Sequence, residues 1–446
     1  MSESYPKDLA SHVQSALTAN RKRAPALAAL VNLFEVLYFA SLKTEEGQGI
    51  SCRVAFINRK RPDPNPPKRI VADRWQYFAF ESEIPCSVRN LVKLSKAADS
   101  WVSTIAVDQG SDGRLAIWGL IDQSVHYSTA VMNETQSWGQ MPGLFQAAIQ
   151  GTGEIGIYDG YTFLGSLRQG ALVTRESGVL QHGPIREKLL PAIHAFRDRV
   201  ATNVGKSAYD IRAHWDGSLE HHWISTLSRI LIGIRRYGHG GALLLTDEAG
   251  GLRVKYPLSY TRLSDALVRQ GALLVRHTNY SDSLMEEFLD KRSRTVPTDL
   301  YLDESVTASE LEDTNNEITG CVRFLSSLSR VDGLVWLKSD LTLQGSGVEI
   351  TSKKDPAPIF GASAATARNL KEIDMNHFGT RHRSMVRHCA AYPDSVGFVV
   401  SQDGDVRAIA HVKKQIVLWD NIRLYSTHNI STSRLQAYRA GRSSIK

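Results

Sequence analysis

The chain has 446 residues, of which 42% are hydrophobic and 8% aromatic, and it carries no long low-complexity tract. This composition excludes disordered and fibrous proteins and is typical of ordered globular domains. Because single cores rarely grow beyond about 250 to 300 residues, the length indicates two domains. The four cysteines are scattered and form no CxxC pair, which excludes a disulfide-rich secreted scaffold and favours a cytoplasmic location.

The net charge of +7 is uneven, because residues 413–446 contain seven Lys or Arg against one Asp. Clustered positive charge attracts polyanions such as nucleic acids. A solvated extension is the simpler interpretation of this tail. Nucleic-acid binding through it is kept as an alternative that salt-dependent binding would reveal.

An apolar stretch, residues 24–42, follows the basic residues 21–23 and superficially resembles a membrane anchor or signal peptide. Pro25, Asn32 and Glu35 interrupt it, and its leucines follow a helical stripe. We therefore predict a packed helix and no membrane association.

The N-terminal part is predicted to be an α+β domain. Four prolines within residues 58–68 indicate an exposed connection. Alternating apolar runs on either side of tight turns predict hairpins over 101–120 and 153–165. A helical region at 185–204 ends this domain, so we place the boundary at residue 205.

The second domain, residues 206–412, is predicted to be a mixed β-sheet flanked by helices, which makes the fold class α/β. Apolar residues from Trp223 to Ile234 lie on one helical face, and residues 240–246 form a continuous apolar run typical of a strand buried on both faces. The pair Thr307 and Glu310 predicts a capping box that starts the last helix before the sheet. Strands are predicted at 332–337, 395–400 and 406–412.

The segment Gly379-Thr380-Arg381-His382-Arg383-Ser384 carries the strongest chemical signal. Glycine permits close backbone approach, Thr380 can cap a helix, and free N–H groups of a first helical turn bind anions. The arginines and His382 add donors suited to phosphate oxygens. Cations at a helix N-terminus oppose the helix dipole unless an anion binds there. A solvated basic patch is the plainer alternative, and zinc binding by His377, His382, His388 and Cys389 is disfavoured by their spacing.

In the order of its motifs the chain resembles the diadenylate cyclase domain family, abbreviated DAC. The apolar run at 240–245 is followed by Asp332-Gly333-Leu334, by the segment Gly379–Ser384 47 residues after Asp332, and by a strand that ends at Ser401. The family's marks are a DGA tripeptide and a GTRHR segment in this order. The resemblance covers roughly residues 220–412. The part before it resembles the sensor domains of the DACNV type, for which the ligand is unknown.

The resemblance implies that two ATP molecules are joined into cyclic di-AMP by two facing catalytic domains, in a homodimer or a higher homo-oligomer. It assigns Asp332 to a Mg²⁺ or Mn²⁺ ion and to activation of the 3′-hydroxyl, and it makes Gly333 part of the catalytic site. Arg381, His382 and Arg383 are implied as catalytic contacts to the triphosphate. The implied ATP-binding residues are Leu334, Gly345, Ser346, Gly347, Gly379, Thr380 and Ser384.

The chain departs from the family pattern at four positions near this chemistry. Leu334 replaces the alanine of DGA, and Val331 stands where some members have a metal-binding histidine. Gln402 and Asp403 stand where many members have two glutamates, so Asp403 is the second candidate metal ligand. These departures keep open a second hypothesis, a nucleotide-binding sensor protein without turnover.

Overall fold

The computed structural model describes residues 3–19, 25–60, 76–100, 102–122, 144–159, 162–168, 170–356, 358–402 and 404–424. The chain divides into two compact units, Met1–Glu176 and Ser177–Lys446. The predicted proline-rich connection lies largely outside the described residues, as do Asp403 and the basic tail beyond residue 424.

The first unit is α+β, as predicted. Its helices are α1 (Pro6–Ala19), α2 (Leu27–Ser41) and α3 (Val88–Ser95). Its strands are β1 (Thr44–Glu45), β2 (Gln48–Gly49), β3 (Cys52–Phe56), β4 (Gln76–Pro85), β5 (Ser103–Gln109), β6 (Leu115–Asp122), β7 (Phe145–Gly151), β8 (Glu154–Asp159), β9 (Thr162–Arg168) and β10 (Ala171–Val173). Strands β3 to β10 form one sheet in the order β10-β9-β8-β7-β3-β5-β6-β4. Both predicted hairpins are present, as the antiparallel pairs β5/β6 and β8/β9.

Helix α2 packs into the core of the first unit. Leu30, Phe34 and Leu37 of the predicted stripe are fully buried there, as is Leu33, whereas Leu27 and Leu42 at its two ends are exposed. None of the described helices is long and apolar enough to cross a membrane.

The second unit contains the mixed sheet with helices that the sequence predicts. Its helices are α4 (Pro184–Val204), α5 (Ala208–Arg236), α6 (Arg262–Met285), α7 (Thr298–Ser327) and α8 (Thr380–Ala391). Short helical turns lie at Glu286–Asp290, Leu328–Arg330 and Met375–His377. Its strands are β11 (Gly241–Leu245), β12 (Leu252–Tyr260), β13 (Leu334–Leu337), β14 (Leu343–Ile350), β15 (Ile359–Ala362), β16 (Lys371–Ile373), β17 (Val396–Val400), β18 (Val406–Val412) and β19 (Gln415–Trp419).

The nine strands of this unit follow the order β12-β14-β13-β11-β17-β18-β19-β15-β16. Strand β11 is central, and all five of its residues are buried, as its continuous apolar run predicts. It pairs in parallel with β13 and antiparallel with β17. The start of β11, the start of β13 and the end of β17 therefore lie side by side at one edge of the sheet.

Helix α8 covers one face of this sheet. Met385, Val386 and Cys389 on α8 are buried in a cluster with Ala242, Leu244, Leu334 and Trp336. On the other face, a Cβ atom on Gly241 would lie only 2.7 Å from Ile234 of α5, so glycine lets that helix approach the central strand. The sheet is thus covered on both sides, which explains its apolar strands.

Two sequence-based boundaries need correction. Helix α4 belongs to the second unit, which begins at Ser177 rather than at residue 206. The backbone N–H of Ser177 donates to Asn421 O (3.0 Å) and that of Arg423 donates to Ser177 O (2.8 Å), so the start of this unit is hydrogen-bonded to the segment that follows β19. The sheet also continues past the predicted end at residue 412, because β19 pairs with β18.

The predicted capping box at Thr307 is wrong. Helix α7 begins at Thr298, directly after Pro297, and Thr307 lies in its interior. There the Thr307 hydroxyl donates to Asp303 O at 2.6 Å, one turn earlier. A Thr-x-x-Glu pattern within a helix is locally indistinguishable from one that starts it, because both place the side chains at the same spacing.

A substitution at Gly333 tests the close approach of the backbone before β13 to strand β14. Its φ of 114° is unfavourable for other residues, and a Cβ atom would lie 2.5 Å from the carbonyl carbon of Gly347. We expect Gly333→Ala to lower the free energy of unfolding by about 2 kcal/mol or more, since backbone must shift on both strands. Thermal unfolding followed by circular dichroism measures this loss.

The matched control is Gly320→Ala in α7, where an added Cβ meets no atom within 4 Å. Alanine in a helix interior is favoured over glycine by about 1 kcal/mol, so this variant should be at least as stable as the wild type. Equal stability of both variants would contradict the close approach of β13 and β14 at Gly333.

Candidate active site

A cavity of about 560 Å³ lies at the sheet edge where β11 and β13 begin and β17 ends. It is lined by His239, Gly240, Ser327, Ser329, Arg330, Val331, Asp332, Arg381 and Gln402. Two of these lining residues, Asp332 and Arg381, come from the two motifs singled out in the sequence. The fold therefore brings both motifs to one cavity.

Asp332 lies at the turn just before β13, and its side chain is exposed. The turn depends on two glycines with positive φ, Gly333 at 114° and Gly347 at 63°. Because the backbones of these two residues approach closely, Asp332 is held at a fixed place on the sheet edge. Gly333 and Gly347 thus shape the cavity without lining it.

The other predicted contacts on β13 and β14 are not at the cavity. Leu334 is buried in the core against α8, and Gly345 and Ser346 pair with Pro257 and Tyr256 of strand β12. Alternation along β13 explains the position of Leu334, since successive side chains point to opposite faces of a sheet. The leucine side chain is therefore accommodated in the core.

The segment Gly379–Ser384 begins helix α8, as predicted, but its cap differs from the prediction. Gly379 is the N-cap residue and Thr380 is the first helical residue, and no side chain caps the helix there. The Ser384 hydroxyl lies 2.9 Å from Thr380 O and 3.1 Å from Arg381 O, to which it donates within the helix. The N–H groups of the first turn have no acceptor within an α-helix, so they are suited to an anion.

The three basic residues of this segment have different environments. Arg381 is exposed and lines the cavity, whereas the His382 ring is only 9% exposed. His382 Nε2 lies 3.0 Å from Arg407 Nη1, and its ring centroid lies 5.5 Å from that of Phe378. Arg383 is half-buried, and its Nε atom has no hydrogen-bond partner among the described residues. Only Arg381 of the three reaches the cavity wall.

Close packing also fixes the position of Arg381. Gly240, with a φ of 67°, lies beside it, and a Cβ atom there would be 3.2 Å from Arg381 Nη1 and 3.0 Å from Val400 O. Gly240 thus leaves room for the guanidinium at the mouth of the cavity. From the sequence, Gly240 is predicted only as part of a strand. Its neighbour His239, which also lines the cavity, was not predicted as a site residue.

The cavity is predominantly basic. Arg330 and Arg381 face a single carboxylate, that of Asp332, among the residues that line it. Arg330 is held by stacking, because its guanidinium carbon lies 5.4 Å from the centre of the Tyr237 ring. Such an arrangement attracts an anionic ligand, and the carboxylate within it is tolerated best when a cation accompanies that ligand.

Within the described part of the chain, no group of three or more His, Cys, Asp or Glu residues is arranged to hold a metal ion. Asp332 is the predicted metal ligand that can be located, since Asp403 lies outside the described residues. The next acid, Asp405, is only 3% exposed and pairs with Arg407 at 2.8 Å. Among the described residues, Asp332 is therefore the candidate to hold a divalent ion, together with the ligand's own oxygens.

His388 on α8 is completely buried, and neither ring nitrogen has a hydrogen-bond partner among the described residues. Its ring stacks on Tyr392 at a centroid distance of 4.7 Å. Burial lowers the pKa of the His388 imidazole to about 4. This histidine is therefore a neutral core residue of the helix that carries Arg381.

The low pKa of His388 predicts a pH dependence of stability. The unfolded chain binds a proton near pH 6.5 that the folded chain binds only near pH 4, so stability is lost as the pH falls through that window, by up to about 1.4 kcal/mol per pH unit. His388→Phe keeps a ring against Tyr392 and should show a smaller loss of urea resistance between pH 7.5 and pH 5. The pKa of His222, also lowered to about 4 by burial, leaves part of the dependence in place. An unchanged pH profile in the variant would contradict a neutral, buried His388.

Comparison with known families adds one finding. Residues 19–122, which lie in the first unit, match the family described as probable sensor domain DACNV. This confirms the resemblance of the N-terminal part to that sensor type. No match to a diadenylate cyclase domain accompanies it, and no curated protein matches the chain. The first unit therefore contains a region similar to a sensor domain.

Proposed function

We propose that the second unit is a diadenylate cyclase, which joins two ATP molecules into cyclic di-AMP and releases two pyrophosphates. The observation that supports this proposal is the shared cavity, which holds Asp332 of the DGL motif and Arg381 of the GTRHR motif. Either motif alone is compatible with a surface turn or a solvated helix start. Their meeting at one basic cavity is what a nucleotide site requires.

The chemistry is a pair of identical displacements. The 3′-oxygen of each ATP forms a bond to the α-phosphorus of the other, the bond from that phosphorus to the bridging oxygen breaks, and pyrophosphate leaves while the 3′-hydroxyl loses its proton. Charge develops on the phosphate oxygens, so positioning and electrostatic stabilisation supply most of the catalysis. In this proposal Arg381 and the first turn of α8 bind the phosphates, and Arg330 adds positive charge at the cavity wall.

Asp332 fits a divalent ion at this place. Mg²⁺ in nucleotide sites is commonly held by one or two carboxylates, with water and substrate phosphates completing the shell. One exposed carboxylate in an otherwise basic cavity meets that requirement. When bound, Mg²⁺ or Mn²⁺ would neutralise charge on the phosphate oxygens. The Asp332 carboxylate would also orient the 3′-hydroxyl for attack.

The reaction needs two catalytic units, because the product is symmetric and each chain supplies one cavity. We therefore propose a homodimer or higher homo-oligomer in which two cavities face each other. The match of residues 19–122 to a sensor domain supports control of this arrangement by the first unit in response to a ligand. The sequence and the family match do not specify the chemical class of that ligand.

A second candidate function is nucleotide binding without turnover. It is favoured by the small number of possible metal ligands, since Asp332 is the one carboxylate among the described residues that line the cavity. Retention of that carboxylate supports the cyclase, because a triphosphate binder without a metal would be repelled by it. Product formation decides between the two candidates.

The first prediction for this function concerns Asp332. Purified protein incubated with ATP and Mn²⁺ or Mg²⁺ should form cyclic di-AMP, detected by chromatography. Asp332→Asn should lower the rate by about a hundredfold or more, because it removes the carboxylate that lines the cavity among the described residues while leaving the phosphate contacts. Binding of a fluorescent ATP analogue in the absence of metal should be as tight as in the wild type or tighter, because the variant removes a negative charge from the cavity. Asp394→Asn, an exposed aspartate that does not line the cavity, is the control and should keep full activity.

Arg381→Ala tests the triphosphate contact itself. Loss of a charge-assisted contact to phosphate is expected to weaken ATP binding about tenfold or more. Arg294→Ala removes an exposed arginine elsewhere in the second unit and serves as the matched control. ATP bound without any product would favour the sensor candidate, and full activity of both Asp332→Asn and Arg381→Ala would refute the site.

The requirement for two facing units predicts a dependence on protein concentration. Cyclic di-AMP formed per mole of chain should rise with protein concentration at saturating ATP and then reach a plateau, since dimerisation precedes turnover. Sedimentation at the same concentrations should show the dimer appear over the same range. Activity per chain that stays constant across a range in which the protein is monomeric would contradict the facing arrangement.

A further inference from the structure

Arg407, the second residue of β18, contacts side chains from several other segments of the second unit. Its Nη1 atom lies 3.0 Å from both His382 Nε2 and Ser401 Oγ. Its Nη2 atom pairs with Asp405 at 2.8 Å, and its Nε donates to Asp420. The Phe378 ring completes the surroundings, 5.8 Å from the guanidinium carbon. All three nitrogens of the guanidinium group are thus engaged, each with different partners.

These contacts bear on the cavity, although Arg407 does not line it. His382 directly follows Arg381, and Ser401 directly precedes Gln402, and both Arg381 and Gln402 do line it. One guanidinium group therefore links the first turn of α8 to the end of β17, two segments that each lie next to a residue of the cavity wall. Displacement of either segment would move a wall residue.

The contact also sets the proton on His382. A guanidinium group has only N–H donors, so His382 Nε2 must accept and cannot carry a proton. The ring is then neutral, with its proton on Nδ1. The charges of Arg381 and Arg383 beside it on α8 and of Arg407 on β18 disfavour an imidazolium, while Asp405 and Asp420 are engaged by Arg407. His382 thus acts as an anchor of the helix rather than as a cationic phosphate donor.

We propose that Arg407 is a positioning residue for the phosphate-binding turn, which acts by holding His382 in the neutral form protonated on Nδ1. The inference rests on the proposed ATP site in so far as it concerns nucleotide affinity. The Asp420 side chain is 60% exposed, whereas the Asp405 side chain is only 4% and the Arg407 side chain 21% exposed. Because both are largely removed from water, the geometry of the fork matters, and a lysine in its place cannot reproduce it.

The first experiment measures ATP affinity in the full chain with a fluorescent ATP analogue. Arg407→Lys keeps a positive charge near Asp405 but cannot bridge His382 and Ser401, so it should bind about tenfold more weakly. Arg253→Lys is the matched control, since Arg253 pairs with Glu349 between two strands away from the cavity. Thermal unfolding of both variants separates loss of binding from loss of the fold. An Arg407→Lys chain that stays folded and binds ATP as tightly as the wild type would overturn the proposal.

Conservative and non-conservative changes at His382 give the rescue. The side-chain oxygen of Gln can accept from Arg407 near the position of Nε2, whereas Leu cannot accept at all. His382→Gln should therefore keep most of the ATP affinity and His382→Leu should lose about tenfold. Arg407→Lys combined with His382→Leu should lose little beyond Arg407→Lys alone, because the contact between residues 407 and 382 is already lost in that variant. Additive losses would show that the two residues act independently and would refute the mechanism.

Nuclear magnetic resonance of chains labelled with ¹⁵N-histidine reads the tautomer directly. The His382 signals, identified by their absence in His382→Gln, should show an unprotonated Nε2 and a protonated Nδ1 at neutral pH, and Arg407→Lys should change that pattern. A protonated Nε2 in the wild type would overturn the inference. If the wild type binds no ATP, the proposed function fails, and the tautomer alone then decides whether Arg407 holds His382.

Discussion

The second unit depends on the complete burial of β11. All five residues of this strand are inaccessible, with α8 above it and α5 close below it, so the strand must have partners on both sides. The partners differ in direction, since β13 runs parallel and β17 antiparallel to it. That difference brings the residues before β13 and after β17 to the same edge. A cavity at this edge is a consequence of strand pairing before any functional side chain is considered.

Side-chain chemistry then depends on helix geometry. Three consecutive residues on a helix point in directions about 100° apart, so a run such as Arg381-His382-Arg383 cannot present all its charges to one ligand. Arg381 faces the cavity, His382 is buried against Arg407 of β18, and Arg383 is half-buried. The buried histidine requires a partner, and Arg407 supplies it from the sheet. A motif with the sequence of a uniform basic patch thus has one residue at the cavity and one buried residue that contacts Arg407.

Sequence patterns predicted those parts of the fold that are locally encoded. The apolar run at β11 and the turn residues of the two hairpins specify their structures within a few neighbouring positions. Asp332 and Arg381 were paired through the resemblance of their motifs, and the structure places them at one cavity. The start of α7 was misplaced, because a Thr-x-x-Glu spacing has the same local appearance inside a helix. The roles of Arg407 and His239 were missed, since they depend on contacts between segments far apart in the chain, and no periodicity records such contacts.

The hydrogen bonds that join Ser177 to residues 421–423 have a practical consequence for dividing the protein. A fragment that starts at residue 206 and stops at 412 would lack α4 and would lose β19, the strand that joins β15 and β16 to the remaining sheet. Its new edge, β18, would carry unpaired backbone groups and Arg407 without Asp420. Such a fragment invites edge-to-edge aggregation. A fragment from 177 to at least 424 keeps all nine strands of the sheet and the hydrogen bonds of Ser177 with Asn421 and Arg423.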